Sequence, residues 1–214
     1  MTDTVFQDRK LADTEHRIIG IDSLQSYFIN LWNLLCRIEV TSEDGTRLKH
    51  DRAVDSLLAH IVDAHDGGGN LIFVGNGGSG AIASHMAADF VKNGGIRALA
   101  LNDPPTLTCM ANDLGYEHVF SKQIEMHARN GDVLVAISSS GRSSNILAAV
   151  KAARAAQCVV VTMSGFDADN PLRSTGLWNF YVPCGQYGPV EIAHLTLCHA
   201  MLDRLCSSKE KAPS

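Results

Sequence analysis

The chain has 214 residues, which is enough for one domain with a substantial hydrophobic core. Its hydrophobic content of 45% excludes an intrinsically disordered chain, and its net charge of -5, with no cluster of Lys and Arg, argues against nucleic acid as the main ligand. No apolar run approaches the roughly 20 residues of a membrane span, and the polar N-terminus lacks the apolar core of a signal peptide. We therefore expect a cytoplasmic protein with no membrane partner. Its six cysteines form no CxxC pair, so we expect reduced, mostly buried thiols.

The chain is predicted to form a single domain over residues 21–208. Residues 1–20 are polar and are predicted to be a flexible extension, and residues 209–214 are predicted to be a disordered tail.

Two amphipathic helices are predicted at the start of this domain. The first carries apolar residues at spacings of three and four from residue 24 onwards, and the second covers roughly residues 52–64 and stops at the glycines 67–69. The polar residues 41–46 are predicted to be a turn between them. Because the apolar faces are wide, we expect the two helices to pack in an oligomer as well as on the core. Burial within the chain is the equally favoured alternative.

From residue 70 onwards, short apolar runs alternate with helical stretches. The runs are rich in Val, Ile and Leu without polar alternation, as expected for strands that are covered on both faces. This order predicts an α/β domain with three layers and an open, parallel, five-stranded sheet. The predicted strands are residues 71–74, 98–101, 132–138, 158–163 and 178–183; the predicted helices are residues 80–92, 106–128 with a break at Gly115, 143–156 and 190–205.

Two turns of a type that binds phosphate follow predicted strands. The first has the sequence VGNGGS, and the second, SSSGRSSN, spans residues 138–145; each leads into a predicted helix. Backbone N–H groups and hydroxyls at a helix start surround a phosphate without any positive side chain. Capping of the second helix is the competing interpretation. Three consecutive serines exceed what a cap needs, so we favour anion binding. Neither turn has the spacing of a dinucleotide-binding fingerprint or a Walker loop.

Titratable side chains follow the first turn and recur near the C-terminus. His85 and Asp89 are four residues apart and therefore share a helix face. The last helix offers Glu191 with two histidines, His194 and His199, which point about 140° apart on an ideal helix, so one site is not expected to use both. Spacing alone favours His194. Two histidines and two carboxylates suit zinc, with manganese or nickel as alternatives.

Together these motifs resemble the SIS (sugar isomerase) domain family, and within it the phosphoheptose isomerase branch. The similarity covers roughly residues 24–205 and includes VGNGGS, ALNDPPTLTCMANDLGYEHVF, ISSSGRSSN and the closing helix, in that order. The resemblance implies the SIS fold, a homotetramer and a ketose–aldose isomerase. The implied reaction converts sedoheptulose 7-phosphate to D-glycero-D-manno-heptose 7-phosphate through a cis-enediol with metal assistance. The alternative is a non-catalytic SIS protein that binds a replication initiator or senses a sugar phosphate.

The resemblance also implies roles for individual residues. It implies that Asp89 and His199 are the catalytic acid/base pair, and it thereby favours His199 over His194. The implied ligands of the metal, usually zinc, are His85, Asp89, Glu191 and His199. The implied substrate contacts are Asn76, Gly77, Ser79, Asp103, Ser138, Ser139, Ser140, Ser143 and Glu191.

Three positions depart from the family pattern. Asp89 stands where the family has Glu, Glu191 replaces Gln, and Gly188-Pro189 replaces an Asp-Arg pair. The first two departures keep oxygen ligands, whereas the third removes an acidic contact to the sugar. The departures therefore bear on the identity of the sugar more than on the type of reaction.

Overall fold

A computed structural model describes residues 22–210 of the chain. The predicted N-terminal extension, residues 1–20, and residues 211–214 of the predicted tail lie outside this range. The strands are β1 Glu39–Ser42, β2 Leu71–Gly75, β3 Ala98–Ala100, β4 Val133–Ser138, β5 Val159–Ser164 and β6 Trp178–Tyr181. The helices are α1 Leu24–Leu35, α2 His50–Asp66, α3 Gly77–Lys92, α4 Pro104–Leu114, α5 Ser121–His127, α6 Ser144–Ala155 and α7 Tyr187–Glu210, with 3-10 turns at Tyr116–His118 and Pro171–Ser174.

The described residues form a six-stranded sheet with the order β1-β6-β5-β4-β2-β3. Five of the strands are parallel, as predicted, but β1 runs antiparallel to β6 at one edge. The prediction of five strands is therefore wrong. β1 is only four residues long and pairs Val40 with Phe180, far away in sequence, so no local pattern distinguishes it from a helix end and a turn.

The sheet is covered by helices on both faces, which confirms the three-layer α/β prediction. Alternate strand residues enter two separate cores, because successive side chains of a strand point to opposite faces. Phe73 and Val135 pack with α2, α3 and α7 on one side, and Val74 and Ala136 pack with α5 and α6 on the other. A strand that is buried on both faces reads as a continuous apolar run, as these strands do.

The two predicted N-terminal helices have different environments. Leu57 and Ile61 of α2 are buried against the sheet, and β1 separates α2 from α1, so the prediction of two helices before any strand is wrong. By contrast, Phe28 and Trp32 of α1 are 62% and 65% exposed. Of the two N-terminal helices, α1 is therefore the one that presents an exposed apolar face.

The remaining predictions about the chain as a whole concern its end, its thiols and membranes. α7 continues to Glu210, two residues beyond the predicted domain boundary. The thiols of Cys36, Cys109, Cys158 and Cys198 are free, as predicted, and burial raises the pKa of Cys198 to about 12. The prediction that the cysteines are mostly buried is wrong, because Cys36 and Cys109 are exposed and Cys158 and Cys206 are only partly buried. Among the helices of residues 22–210, none combines the length and apolar character that crossing a bilayer requires.

Candidate functional site

The two sequence-predicted turns lie side by side at the point where the strand order reverses. β3 lies on one side of β2, whereas β4, β5 and β6 follow on the other side, and Gly75 at the end of β2 pairs with Ile137 near the end of β4. At such a switch point the connections after the two strands leave in opposite directions and open a crevice, which is where open α/β sheets bind ligands.

The first turn is tight and leaves a helix N-terminus open. A Cβ at Gly75 would lie 2.5 Å from the backbone of Ser79, so the chain folds back in a way that only glycine permits. Gly77 follows with φ at +53°. Asn76 occupies the N-cap of α3, but its side chain makes no capping hydrogen bond. The backbone N–H groups of the first turn of α3 are therefore available to a ligand.

The second turn has a similar construction. Ser143 occupies the N-cap of α6 without a side-chain capping bond, and its hydroxyl lies 3.2 Å from that of Ser138. The hydroxyl of Ser139 is buried and has no hydrogen-bond partner among the described residues. These serine hydroxyls do not cap the helix, and the hydrogen bonds between them do not use all of their donors and acceptors. They can therefore form further hydrogen bonds to a ligand. The competing interpretation, that these serines only cap α6, is thus not supported.

Between the turns lies a pocket of about 250 Å³ that is closed on one side by the start of α7. Its lining contains no Lys or Arg among the described residues, so an anion would be held by N–H groups and hydroxyls. Glu191 of α7 also lines it, and a Cβ added at Gly78 would come within 2.6 Å of Glu191 Oε1. The carboxylate therefore lies directly against the glycine at the start of α3. The lining comprises Asn76, Gly77, Gly78, Ser79, Ile137, Ser138, Ser139, Ser140, Ser143, Tyr187 and Glu191.

A second cluster lies where α3 packs on α7. His85 Nε2 is 3.3 Å from His199 Nε2 and 3.5 Å from Asp89 Oδ2, and donor atoms of all three residues lie within 4.8 Å of one another. Zinc–ligand bonds of about 2.0–2.1 Å in a tetrahedral arrangement separate ligand atoms by roughly 3.3–3.4 Å. Two imidazoles and one carboxylate at these spacings fit a divalent cation that keeps a position for substrate.

Three of the four residues predicted as metal ligands come together, and the fourth does not. Glu191 is absent from the cluster of His85, Asp89 and His199 and instead lies over Gly78 in the pocket between the turns. The predicted substrate contact and the predicted metal ligation by Glu191 therefore require different positions of its carboxylate. In the structure this carboxylate lies in the pocket between the turns.

His194 points into the interior rather than toward the cluster. It is fully buried, its Nε2 lies 3.2 Å from the carbonyl oxygen of Ser164, and its Nδ1 has no partner among the described residues. Burial lowers the pKa of His194 to about 4, so the ring is neutral at pH 7. Of the two histidines on α7, His199 is the one beside His85, which is the choice that the family resemblance favoured over spacing.

Asp103 has a structural partner outside the pocket. Its side chain caps α4 by accepting hydrogen bonds from the hydroxyl of Thr106 at 2.6 Å and from its backbone N–H at 3.0 Å. These bonds, the side-chain bond first, lower the pKa of Asp103. Asp103 does not belong to the pocket lining, so its contact with a sugar stays a prediction.

Sequence reasoning missed several residues that shape the site. Gly78 is needed because Glu191 lies against it, and Tyr187 lines the pocket from the first turn of α7. Asn145 and Tyr116 hold the side chain of Asn76. The motif SSSGRSSN contained Asn145, but nothing local shows that its partner lies in the other turn, and no pattern links Tyr116 to either turn.

A mostly parallel sheet with two open helix N-termini around a serine-lined crevice defines an α/β protein that is suited to a small anionic ligand. The family is established by comparison with known proteins: the chain belongs to the SIS domain family, whose model matches residues 41–165.

Relatives in this family cover most of the chain. The phosphoheptose isomerase of Citrifermentans bemidjiense is 35% identical over 157 residues, which are 71% of this chain and 81% of that protein. That of Yersinia pestis is 32% identical over 173 residues, covering 77% and 90%. The structure of a phosphoheptose isomerase from Neisseria gonorrhoeae has a TM-score of 0.71 at 32% identity, covering 85% of this chain and 97% of that one.

Proposed function

We propose that this protein is a ketose–aldose isomerase that converts sedoheptulose 7-phosphate to D-glycero-D-manno-heptose 7-phosphate. The observation that carries the proposal is an anion pocket at the start of α3 together with a His/Asp/His cluster between α3 and α7, in a chain related to phosphoheptose isomerases over most of its length. The pocket accounts for the phosphate of the substrate, and the cluster supplies groups for proton transfer.

The phosphate is proposed to bind between the two turns. The open N-termini of α3 and α6 present N–H groups and positive dipole ends, which favour a dianion in the absence of a basic side chain. The serine hydroxyls complete the donor set. The proposed phosphate-binding residues are Asn76, Gly77, Ser79, Ser138, Ser139, Ser140 and Ser143.

The cluster provides an acid/base pair for the isomerisation. The reaction moves a proton between two adjacent carbons through a cis-enediol, so it needs a base near the C–H bond and a second group that returns or relays protons. We assign these roles to Asp89 and His199, which lie on two different helices and each come within 3.5 Å of His85 Nε2. A neutral imidazole and a carboxylate are both competent bases near pH 7.

A divalent cation, zinc by the type of its ligands, is proposed to be held by His85, Asp89 and His199. When bound, such an ion supplies Lewis-acid stabilisation of negative charge on the sugar oxygens. Glu191 is proposed to contact the sugar from its place over Gly78, and it becomes a fourth ligand only if its carboxylate leaves that glycine.

We also propose that copies of the chain assemble through α1, as a homotetramer. Leu24, Phe28, Ile29 and Trp32 form its exposed apolar face. Burial of such side chains contributes about 1.5–3 kcal/mol each. Light scattering of the intact protein should give the mass of four chains, and Trp32→Glu should shift the mass toward smaller species. An unchanged mass in that variant would exclude α1 from the interface.

The activity is tested by incubating the purified protein with sedoheptulose 7-phosphate and with other ketose phosphates, with and without zinc. We expect conversion of the heptulose phosphate and its loss after chelation. No turnover on any ketose phosphate, together with tight binding of a partner protein that does not depend on Asp89 or His199, would instead support the non-catalytic alternative.

A further inference from the structure

A partly buried pair of side-chain amides joins the two turns of the pocket. Asn145, in the first turn of α6, is only 1% exposed. Its Nδ2 donates to Asn76 Oδ1 at 2.8 Å, and Asn76 Nδ2 donates back to Asn145 Oδ1 at 2.9 Å, across 69 residues of sequence. Because the pair is reciprocal, rotation of either amide breaks both bonds.

Tyr116 provides a third connection to the same amide. Its hydroxyl donates to Asn76 Oδ1 at 3.0 Å from the 3-10 turn that follows α4. The Asn76 side chain therefore has partners on two other elements, whereas it makes no capping hydrogen bond to the helix that Asn76 begins. This is unusual for an N-cap Asn, whose side chain ordinarily accepts a bond from the second or third N–H of its own helix.

We propose that Asn145 is a positioning residue for phosphate binding, which holds the Asn76 side chain away from the N-terminus of α3 and keeps the two turns in register. Without Asn145, the Asn76 side chain is free to cap α3, and it then competes with phosphate for the N–H groups of Gly78 and Ser79. Asn145 does not line the pocket and acts only through Asn76. This inference rests on the proposed function because it concerns the same phosphate pocket.

The test is a double-substitution cycle read out by the affinity of the intact protein for inorganic phosphate, measured by calorimetry. Asn145→Leu keeps the branching and the number of non-hydrogen atoms of the side chain but removes both hydrogen bonds, and we expect it to weaken phosphate binding about tenfold. In an Asn76→Ala background no side chain is present to cap α3, so the same substitution should have no further effect. Zinc affinity at the His85 cluster should stay the same in every variant.

Two variants separate this role from a general loss of stability. Thr162→Val removes another buried hydrogen bond, at 2.7 Å to Asn179, between two residues that do not line the pocket, and should leave phosphate affinity unchanged. Tyr116→Phe removes only the hydroxyl at an exposed position and should weaken phosphate binding about threefold. If Asn145→Leu fails to fold, the cycle of Tyr116→Phe with Asn76→Ala decides the question.

Several results would overturn the inference: unchanged phosphate affinity in Asn145→Leu, an equal loss in the Asn76→Ala background, or no phosphate binding by the unmodified chain. In the cycle of Tyr116→Phe with Asn76→Ala, unchanged phosphate affinity in Tyr116→Phe would likewise overturn the inference. Because phosphate binding requires no turnover, the result of this cycle can be told apart from a failure of the proposed isomerase activity. A chain that shows the expected cycle but isomerises no sugar phosphate would refute the activity and leave the role of Asn145 intact.

Discussion

Gly78→Ala should separate activity from stability in this protein. Gly78 is an exposed helical residue of α3 without a positive φ, and the position that a Cβ would occupy faces the carboxylate of Glu191. Alanine is favoured over glycine within a helix by about 1 kcal/mol, so the free energy of unfolding should stay constant or rise by up to that amount.

The effect on the site follows from the distance between the added atom and the carboxylate. A Cβ at Gly78 would lie 2.6 Å from Glu191 Oε1, whereas ordinary contact begins at 3.4 Å. The other oxygen of this carboxylate would lie closer still, so the carboxylate must move by roughly 1 Å, which it does at little cost to the fold because it is the far end of a flexible side chain. A displacement of about 1 Å in a positioning group lowers the rate up to about a hundredfold. We expect kcat/KM to fall by about ten- to a hundredfold.

The assay measures kcat/KM for sedoheptulose 7-phosphate together with urea unfolding of the same samples. In a Glu191→Ala background the displaced carboxylate is absent, so Gly78→Ala should cause no further loss of activity. Full activity in the Gly78→Ala variant would refute the importance of the Glu191 position. An equal loss in both backgrounds would show instead that the new methyl group itself obstructs the substrate.

Three further predictions concern the acid/base pair, the phosphate pocket and the buried histidine. Asp89→Asn and His199→Ala should each lower kcat at least about a hundredfold, and the loss of bound zinc from His199→Ala should be visible by elemental analysis. Ser140→Ala should mainly raise KM, because it removes one hydroxyl from the phosphate pocket. His194 has a folded-state pKa of about 4, below its usual 6.5, so the unfolded chain binds the extra proton first as the pH falls. The free energy of unfolding should therefore decline by about 3 kcal/mol between pH 6.5 and pH 4. Urea titrations should show that it depends less on pH in His194→Leu. Unchanged kcat in His199→Ala, unchanged KM in Ser140→Ala or an equal pH dependence in His194→Leu would contradict the respective assignments.

The sequence predicts the parts of this fold whose causes are local. A parallel strand that is buried on both faces, such as Leu71–Gly75, reads as an apolar run, and the glycines after it require a tight turn. The four-residue spacing of His85 and Asp89 likewise gives a shared helix face directly. These features depend only on neighbouring residues, so they are accessible without tertiary information.

Features that depend on distant partners were missed or left open. β1 exists because Val40 pairs with Phe180, and the choice between His194 and His199 depends on which side of α7 faces the sheet. Helix spacing alone favoured His194, which is the histidine that the structure buries. Glu191 could be matched to its family position, but its separation from the cluster depends on how α7 packs against α3.

The most direct test of the proposed site is anomalous X-ray diffraction at the zinc edge from crystals grown with zinc and sedoheptulose 7-phosphate. We expect one zinc peak bonded to His85, Asp89 and His199, with the sugar phosphate between the turns that contain Asn76 and Ser140. A zinc peak elsewhere, or a phosphate bound outside these turns, would contradict a single site built from the pocket and the cluster.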